Sequence, residues 1–133
     1  MNYQMRRNDY THQEESSQLI GVGIEIQKQL GSGFLEIVYK DAFECELKNA
    51  NIFFEREKEY LIRYKDTVLR HHFYADFVVF DKIILELKSR KEITDEDLAQ
   101  TINYLKCSGC KLGLILNFGR SKLEIKRVAL GYE

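Results

Sequence analysis

The first half of the chain carries two stripes of apolar residues at helical spacing. Apolar side chains recur every three or four positions in residues 19–30, and Thr11 with Glu14 has the spacing of a capping box. The Gly-Ser-Gly sequence at 31–33 favours a break, because glycine adopts backbone conformations that other residues avoid. The apolar spacing returns in residues 35–49. We therefore predict two helices separated by a glycine turn.

After residue 51 the pattern changes to that of β-strands. Residues 60–64, 70–80 and 82–88 alternate in polarity or are rich in aromatic and β-branched side chains, which predicts three strands. Lys65-Asp66 has the composition of a turn between the first two.

The last third of the chain predicts one helix followed by two strands. Thr94 and Asp97 indicate where the helix starts, since a threonine side chain can cap free N–H groups of a first turn, and the helix should end near 108–109. Residues 112–117 and 123–128 have the composition of strands. The element order is therefore ααβββαββ, which predicts an α/β fold class in which helices flank a mixed β-sheet.

Composition favours a single folded domain over residues 1–133. The chain is 44% hydrophobic and contains no proline, so it can bury a core and leaves little room for linkers. Residues 1–10 are expected to be a flexible or weakly ordered N-terminus. No apolar run reaches the roughly 18 residues of a transmembrane helix, and the polar start differs from a secretory signal. We expect a cytoplasmic protein without a membrane partner.

The charge pattern gives only local indications of a polyanionic partner. The formal net charge is −1, so a nucleic acid would have to be bound by a local patch. Basic residues cluster after the third predicted strand and near the C-terminus, namely Lys88, Arg90, Lys91, Arg120, Lys122, Lys126 and Arg127. Such runs are more often solvated faces than phosphate contacts.

The three cysteines, Cys45, Cys107 and Cys110, suit a reducing compartment, because disulfide frameworks normally use even numbers. Cys107 and Cys110 have the CxxC spacing of zinc and redox sites, but a structural zinc site takes four ligands. We expect free thiols that pack at the end of the third helix. A cysteine-based metal or redox protein is the rival interpretation.

Two acidic residues interrupt apolar strands in the middle of the chain. Asp76 lies within the apolar run 73–80, where an unpaired buried carboxylate would cost on the order of several kcal/mol. Glu86 and Lys88 lie on one face of the next strand, and its leucines lie on the other. If a three-residue loop near Asp81 joins the two strands, Asp76 lies opposite or diagonally next to Glu86 on the same face.

A divalent cation would relieve the repulsion between these two carboxylates, because hard ions such as Mg²⁺ prefer oxygen ligands. Lys88, about 6.6 Å further along the face by strand rise, could hold water or the charge that develops on a phosphate. The competing interpretation is a structural salt bridge between Lys88 and either acid. The residues alone leave both interpretations open.

Several stretches resemble a known family. Residues 33–39, GFLEIVY, resemble the motif that names the GxxExxY family, and the chain from about Ile20 to Val128 follows that family's pattern in order. Further similar stretches are 74–76, 84–88, 99–105 and 113–119. This family resembles the PD-(D/E)xK nuclease superfamily, whose restriction-endonuclease-like fold is a mixed β-sheet with flanking helices.

The resemblance implies a set of catalytic residues. Glu36 would be a helical acid that joins Asp76 and Glu86 as ligands of the metal, and Lys88 would be the catalytic lysine. Ala75 stands before Asp76, where the superfamily is named for a proline.

Supporting residues are expected around these four. Gln100 and Tyr104 lie one turn apart on the third helix and are similar to a Gln and a Tyr of exonuclease-like members, so they would contact the substrate or the surroundings of the lysine. Tyr39 lies on the apolar face of its helix and is expected in the core, where its hydroxyl could still brace Glu36.

These features predict a Mg²⁺- or Mn²⁺-dependent nuclease that hydrolyses phosphodiester bonds, with DNA as the expected nucleic acid. The alternative is a catalytically weak or inactive module on the same fold that binds nucleic acid or a protein partner. His71 and His72 are adjacent on a strand and cannot both face one site, so neither is expected to be catalytic.

Overall fold

The computed structural model describes residues 3–5 and 11–132. The elements, in chain order, are β1 (Tyr3–Met5), α1 (Gln13–Leu30), α2 (Glu36–Asn49), β2 (Phe54–Tyr60), β3 (Arg63–Tyr64), β4 (Thr67–Val68), β5 (Phe73–Val79), β6 (Ile83–Lys88), α3 (Asp95–Ser108), β7 (Leu112–Asn117) and β8 (Glu124–Tyr132). Within these residues, a sheet of six strands has the order β1-β8-β7-β6-β5-β2, and β3 pairs with β4 separately. β6 and β7 run parallel, and the other neighbours run antiparallel. The predicted α/β class with a mixed sheet and flanking helices is confirmed.

The helix caps follow the local signals at α3 but not at α1. Thr94 Oγ1 accepts a hydrogen bond from the Asp97 N–H, and the Asp97 carboxylate accepts one from the Thr94 N–H, so the predicted cap is a complete capping box. The capping box predicted from Thr11 and Glu14 is wrong. His12 is the residue before α1, its backbone is left-handed with φ 53°, and it makes no side-chain cap. A side-chain cap needs extended backbone at that position, which His12 lacks.

The first predicted strand is displaced along the chain. The edge strand comprises Phe54–Tyr60, while Arg63–Tyr64 and Thr67–Val68 form a separate hairpin around the predicted turn at Lys65. The edge strand is rich in charged residues, so it lacks the apolar pattern of a buried strand. β1 falls within the N-terminal stretch expected to be flexible, and it pairs with β8. The rest of that stretch lies outside the described residues.

Both faces of the sheet are covered by helices. The α1 and α2 side holds the larger cluster of buried apolar residues, which includes Phe43 and Leu85, and the α3 side holds a second cluster, which includes Ile84 and Leu105. α3 approaches the sheet closely because β7 carries Gly113 at the contact, where a Cβ atom would lie 2.4 Å from Thr101 Cγ2. Each fully buried aliphatic side chain contributes about 1.5–3 kcal/mol. None of the helices in residues 11–132 is long and apolar enough to cross a bilayer.

The hairpin of β5 and β6 creates a gap in the sheet. Val79 pairs with Ile83, so the loop between them has the expected three residues, and the regular pairing ends at Phe77 and Leu85. Beyond that point the start of β5 stays paired with β2, while the end of β6 stays paired with β7. The two strands therefore part beyond Phe77 and Leu85, where side chains instead of backbone groups connect them.

Candidate active site

Asp76 and Glu86 stand where β5 and β6 part. The Asp76 N–H donates to Glu86 Oε2 at 2.7 Å, and the Leu87 N–H donates to Asp76 Oδ2 at 2.9 Å. Each carboxylate thus accepts a backbone hydrogen bond from the opposite strand, which satisfies an N–H group beyond the regular pairing. Asp76 is 9% exposed and Glu86 is 3% exposed. The two acids face the same space, as their spacing and the short loop predict.

The pKa of Glu86 is shifted from its usual value. Burial, followed by the charge of Asp76, raises the pKa of Glu86 to about 8, although the Asp76 N–H and the charges of Lys88 and Lys40 oppose this. Burial and the neighbouring carboxylate therefore both favour the uncharged form of Glu86. An acid shifted by burial and by a like charge is typical of functional sites.

Lys88 pairs with an acid that the sequence pattern did not connect to it. Its Nζ lies 4.0 Å from Asp97 Oδ1 at the start of α3, and Arg90 Nη1 lies 3.1 and 3.3 Å from the two oxygens of the same carboxylate. Asp97 is 4% exposed. The competing interpretation of the sequence was a salt bridge of Lys88 with Asp76 or Glu86, but the acid that Lys88 pairs with is Asp97. The charge of Lys88 still opposes the rise in the pKa of Glu86.

Lys40 of α2 is a site residue that sequence reasoning missed. Its Nζ lies 2.9 Å from Asp76 Oδ1 and 3.4 Å from Glu57 Oε1. Burial lowers the pKa of Lys40, but the hydrogen bonds and charges of Asp76 and Glu57 outweigh burial and raise it. The one available signal was the position of Lys40 one turn after Glu36 on the same helix, which does not reveal a contact with a distant strand.

Glu36 does not join the two buried acids in the structure. It is half-buried at the start of α2 and lines an open cavity of about 590 Å³ together with Ser89, Arg90, Lys91 and Gly119. Across residues 3–5 and 11–132, no group of three or more His, Cys, Asp or Glu side chains is arranged to hold a metal ion. The structure therefore brings together Asp76 and Glu86, but not the three-acid set that the resemblance implies.

The chemistry of the donor set nevertheless fits a divalent cation. Asp76 and Glu86 offer carboxylate oxygens, which hard cations such as Mg²⁺ prefer. The site already attracts positive charge, since the Lys40 ammonium contacts Asp76 Oδ1. Asp76 and Glu86 could thus hold a cation at the gap between β5 and β6.

Tyr104 and Gln100 border this region from α3. Burial and the charges of Glu86 and Asp76 raise the pKa of Tyr104 to about 12, and its hydrogen bond with Gln100 acts in the opposite direction. The Tyr104 ring stacks on Phe73 with centroids 4.1 Å apart. Tyr104, Gln100 and Phe73 line an open groove of about 580 Å³. Tyr104 is thus near both acids, and Gln100 is exposed beside it.

Tyr39 lies in the core, as predicted, but its hydroxyl has a different partner from the expected one. The side chain is fully buried, and its ring stacks on Phe118 with centroids 4.4 Å apart. The hydroxyl donates to the Gly31 carbonyl at 2.6 Å and accepts from the Phe34 N–H at 3.3 Å. Tyr39 therefore braces the glycine turn before α2 instead of Glu36 itself.

A buried asparagine orders the loop that follows Lys88. Asn117 Oδ1 accepts from the backbone N–H groups of Arg90 and Gly119, while its Nδ2 donates to the Arg90 carbonyl and to Glu124 Oε1, all at 2.9–3.1 Å. Asn117 is 0% exposed. A polar residue at the end of an apolar strand was the signal for this role, and sequence reasoning noted it only as part of a similar stretch.

Several of the basic residues and cysteines have structural contacts. Arg120 lies 3.8 Å from Glu124, and Arg127 donates to the Thr11 carbonyl, so part of the C-terminal basic run serves the fold. Cys45, Cys107 and Cys110 are free thiols. Cys110 packs against the α3-side cluster, as expected, but Cys107 is exposed, so the packing predicted for that cysteine is wrong.

Comparisons with known proteins agree with this arrangement. The sequence profile of the PD-(D/E)XK nuclease superfamily matches residues 13–128. No curated protein matches the chain. The crystal structure of SSO0001 is similar to this fold, with a TM-score of 0.56 and 21% sequence identity. The alignment covers 72% of this chain and 50% of that protein, so the chain spans about half of its length. At this identity the likeness concerns the fold alone. Because the superfamily profile covers most of the chain, including both buried acids and Lys88, the protein belongs to the PD-(D/E)XK nuclease superfamily.

Proposed function

We propose that the protein is a metal-dependent nuclease that hydrolyses phosphodiester bonds in nucleic acid, with DNA as the expected substrate. We also propose that it belongs to the GxxExxY group within its superfamily. The observation that carries the proposal is the buried pair of Asp76 and Glu86 beside Lys88, at the gap where β5 and β6 part. Membership of the superfamily supports nuclease chemistry at this pair.

Asp76 and Glu86 would hold Mg²⁺ or Mn²⁺, with Glu36 as a third ligand if its side chain reaches the ion. When bound, such an ion supplies positive charge and lowers the pKa of a water. Because burial and the charge of Asp76 raise the pKa of Glu86, release of a proton from Glu86 would accompany its use as a charged ligand.

Lys88 would act on the water or on the phosphate. Asp97 lies 4.0 Å from its ammonium and 3.1 Å from Arg90, so the lysine is held at the end of β6. A positioned ammonium can orient a water or stabilise negative charge that develops on phosphate oxygens. Tyr104 and Gln100 at the edge of the site would donate hydrogen bonds to the nucleic-acid backbone.

The test combines Mn²⁺ binding with cleavage of labelled single- and double-stranded substrates. Lys88→Ala should bind Mn²⁺ like the wild type and lose cleavage, whereas Asp76→Asn should lose much of both. Glu36→Gln should fall between them if the helical acid reaches the ion. Lys48→Ala is the control, because Lys48 is an exposed lysine that pairs with Glu44 on α2. An Asp76→Asn variant that binds Mn²⁺ as well as the wild type would refute the ligand assignment.

A second candidate function is a nucleic-acid- or partner-binding module without useful turnover. The observation that favours it is the position of Lys40, which supplies Asp76 with a cation from the protein itself. Salt-dependent binding of labelled DNA, without cleavage in Mg²⁺ or Mn²⁺, would favour this candidate over the nuclease.

A further inference from the structure

The Lys40 ammonium lies next to Asp76, at the place where a divalent cation bound by that carboxylate would be expected. Its ammonium lies 2.9 Å from Asp76 Oδ1, and the exposed fractions of the two side chains are 16% and 12%. Such a pair is poorly screened by solvent, so both charges act strongly on each other and on any third charge nearby. A divalent cation that binds Asp76 must therefore approach an ammonium at close range.

The same ammonium has a second acidic neighbour. Glu57 Oε1 lies 3.4 Å from Lys40 Nζ, and the Glu57 side chain is 49% exposed. On the edge strand, Arg56 pairs with Phe77 and Lys58 pairs with Ala75, which places Glu57 opposite Asp76. Lys40 thus lies between a buried carboxylate and an exposed one on neighbouring strands.

The backbone at Glu57 is unusual for this position. Glu57 has a left-handed backbone with φ 53°, which residues other than glycine seldom adopt within a strand. The pairing of β2 with β5 is interrupted at this level. Strained backbone of this kind persists where the surrounding structure holds it, often near functional sites. Here it accompanies a carboxylate that is directed to Lys40.

We propose that Lys40 is a built-in counter-ion of Asp76 that competes with the divalent cation, and that Glu57 receives the Lys40 ammonium when the cation binds. This inference rests on the proposed metal site at Asp76 and Glu86. Lys40 is a positioning residue, because it acts on the ion through Asp76. It stabilises the metal-free protein and lowers its affinity for the ion.

The direction of the effect separates this role from a merely structural one. Damage to the fold would weaken metal binding, whereas removal of a competing charge strengthens it. Lys40→Gln should therefore raise the affinity for Mn²⁺ on the order of tenfold, within the usual range of coupling between two sites. In EDTA the same variant should have a lower Tm, because Asp76 then lacks its cation, and Mn²⁺ should raise that Tm by more than it raises the Tm of the wild type.

The chain offers matched controls on the same helix. Lys48→Gln removes one positive charge from α2 at a side chain that is 65% exposed, so it should change neither the Mn²⁺ affinity nor the Tm. Lys40→Arg retains the charge and should keep the affinity near that of the wild type. Glu57→Gln should weaken Mn²⁺ binding when Lys40 is present and have no effect in the Lys40→Gln background, since the displaced ammonium is then missing.

Calorimetric titration with Mn²⁺ and thermal unfolding of the full chain give outcomes that differ for each claim. Higher affinity of Lys40→Gln, with Lys48→Gln unchanged, supports the inference. Equal or lower affinity of Lys40→Gln, together with loss of binding in Asp76→Asn, overturns it and leaves the proposed metal site standing. Additive effects of Lys40→Gln and Glu57→Gln overturn the role of Glu57 as acceptor. Absence of Mn²⁺ binding in both the wild type and Lys40→Gln overturns the metal site itself.

Discussion

Replacement of Asn117 by alanine tests how strongly the loop after Lys88 depends on one buried side chain. The amide accepts hydrogen bonds from two backbone N–H groups and donates to the Arg90 carbonyl and to Glu124. A buried polar group that loses its partner costs about 1–3 kcal/mol. Glu124 keeps its bond from the Ile93 N–H, and water can reach some of the loop once the amide is removed. We therefore expect Asn117→Ala to lower the free energy of unfolding by about 3 kcal/mol.

Urea unfolding of the metal-free protein measures this loss, and hydrogen exchange across residues 89–93 measures whether the loop opens locally. Asn103→Ala is the matched control, since Asn103 is an exposed asparagine on α3 and its replacement should change the stability little. The loop follows Lys88 directly, so its opening should disturb the position of that lysine. We therefore expect cleavage activity to fall together with protection from hydrogen exchange. A loss below about 1 kcal/mol with unchanged protection would refute the proposed role of the amide.

Further predictions concern the close backbone contact at Gly119 and the protonation of Glu86. Gly119→Ala should unfold or displace the loop, because a Cβ atom there would lie 2.0 Å from the Arg90 carbonyl oxygen. Gly21→Ala is the control: a Cβ atom there would meet nothing within 4 Å, and alanine favours the helical conformation of α1, so the Tm should rise slightly. For Glu86, the pKa is raised from 4.5 to about 8, so the folded protein keeps a proton that the unfolded chain releases, and stability present below pH 4.5 is lost as the pH rises toward 8. The loss follows a slope of up to about 1.4 kcal/mol per pH unit in EDTA. Glu86→Gln should reduce this slope in urea titrations at several pH values, and an unchanged slope would contradict the assignment.

Local patterns were sufficient for much of the secondary structure and for the pairing of the two acids. The boundaries of α2, α3 and β7 follow from glycine breaks, a threonine cap and apolar runs, which act within a few residues. Asp76 and Glu86 face the same space because the period of a strand and a three-residue loop together determine the register of a hairpin. These relations depend on neighbours in sequence, so they could be predicted without the fold.

The partners of the site residues were decided only by tertiary packing. Lys40 meets Asp76, Lys88 meets Asp97, and Asn117 meets the loop at Arg90, and each contact joins different elements. A periodic pattern tells which way a side chain points from its own element, but not which element lies there or at what distance. The separation of Glu36 from the two buried acids has the same origin, because it depends on how α2 packs across the sheet. Charged β2 likewise becomes a strand through its pairing with β5, since its own side chains carry no apolar stripe that would predict it.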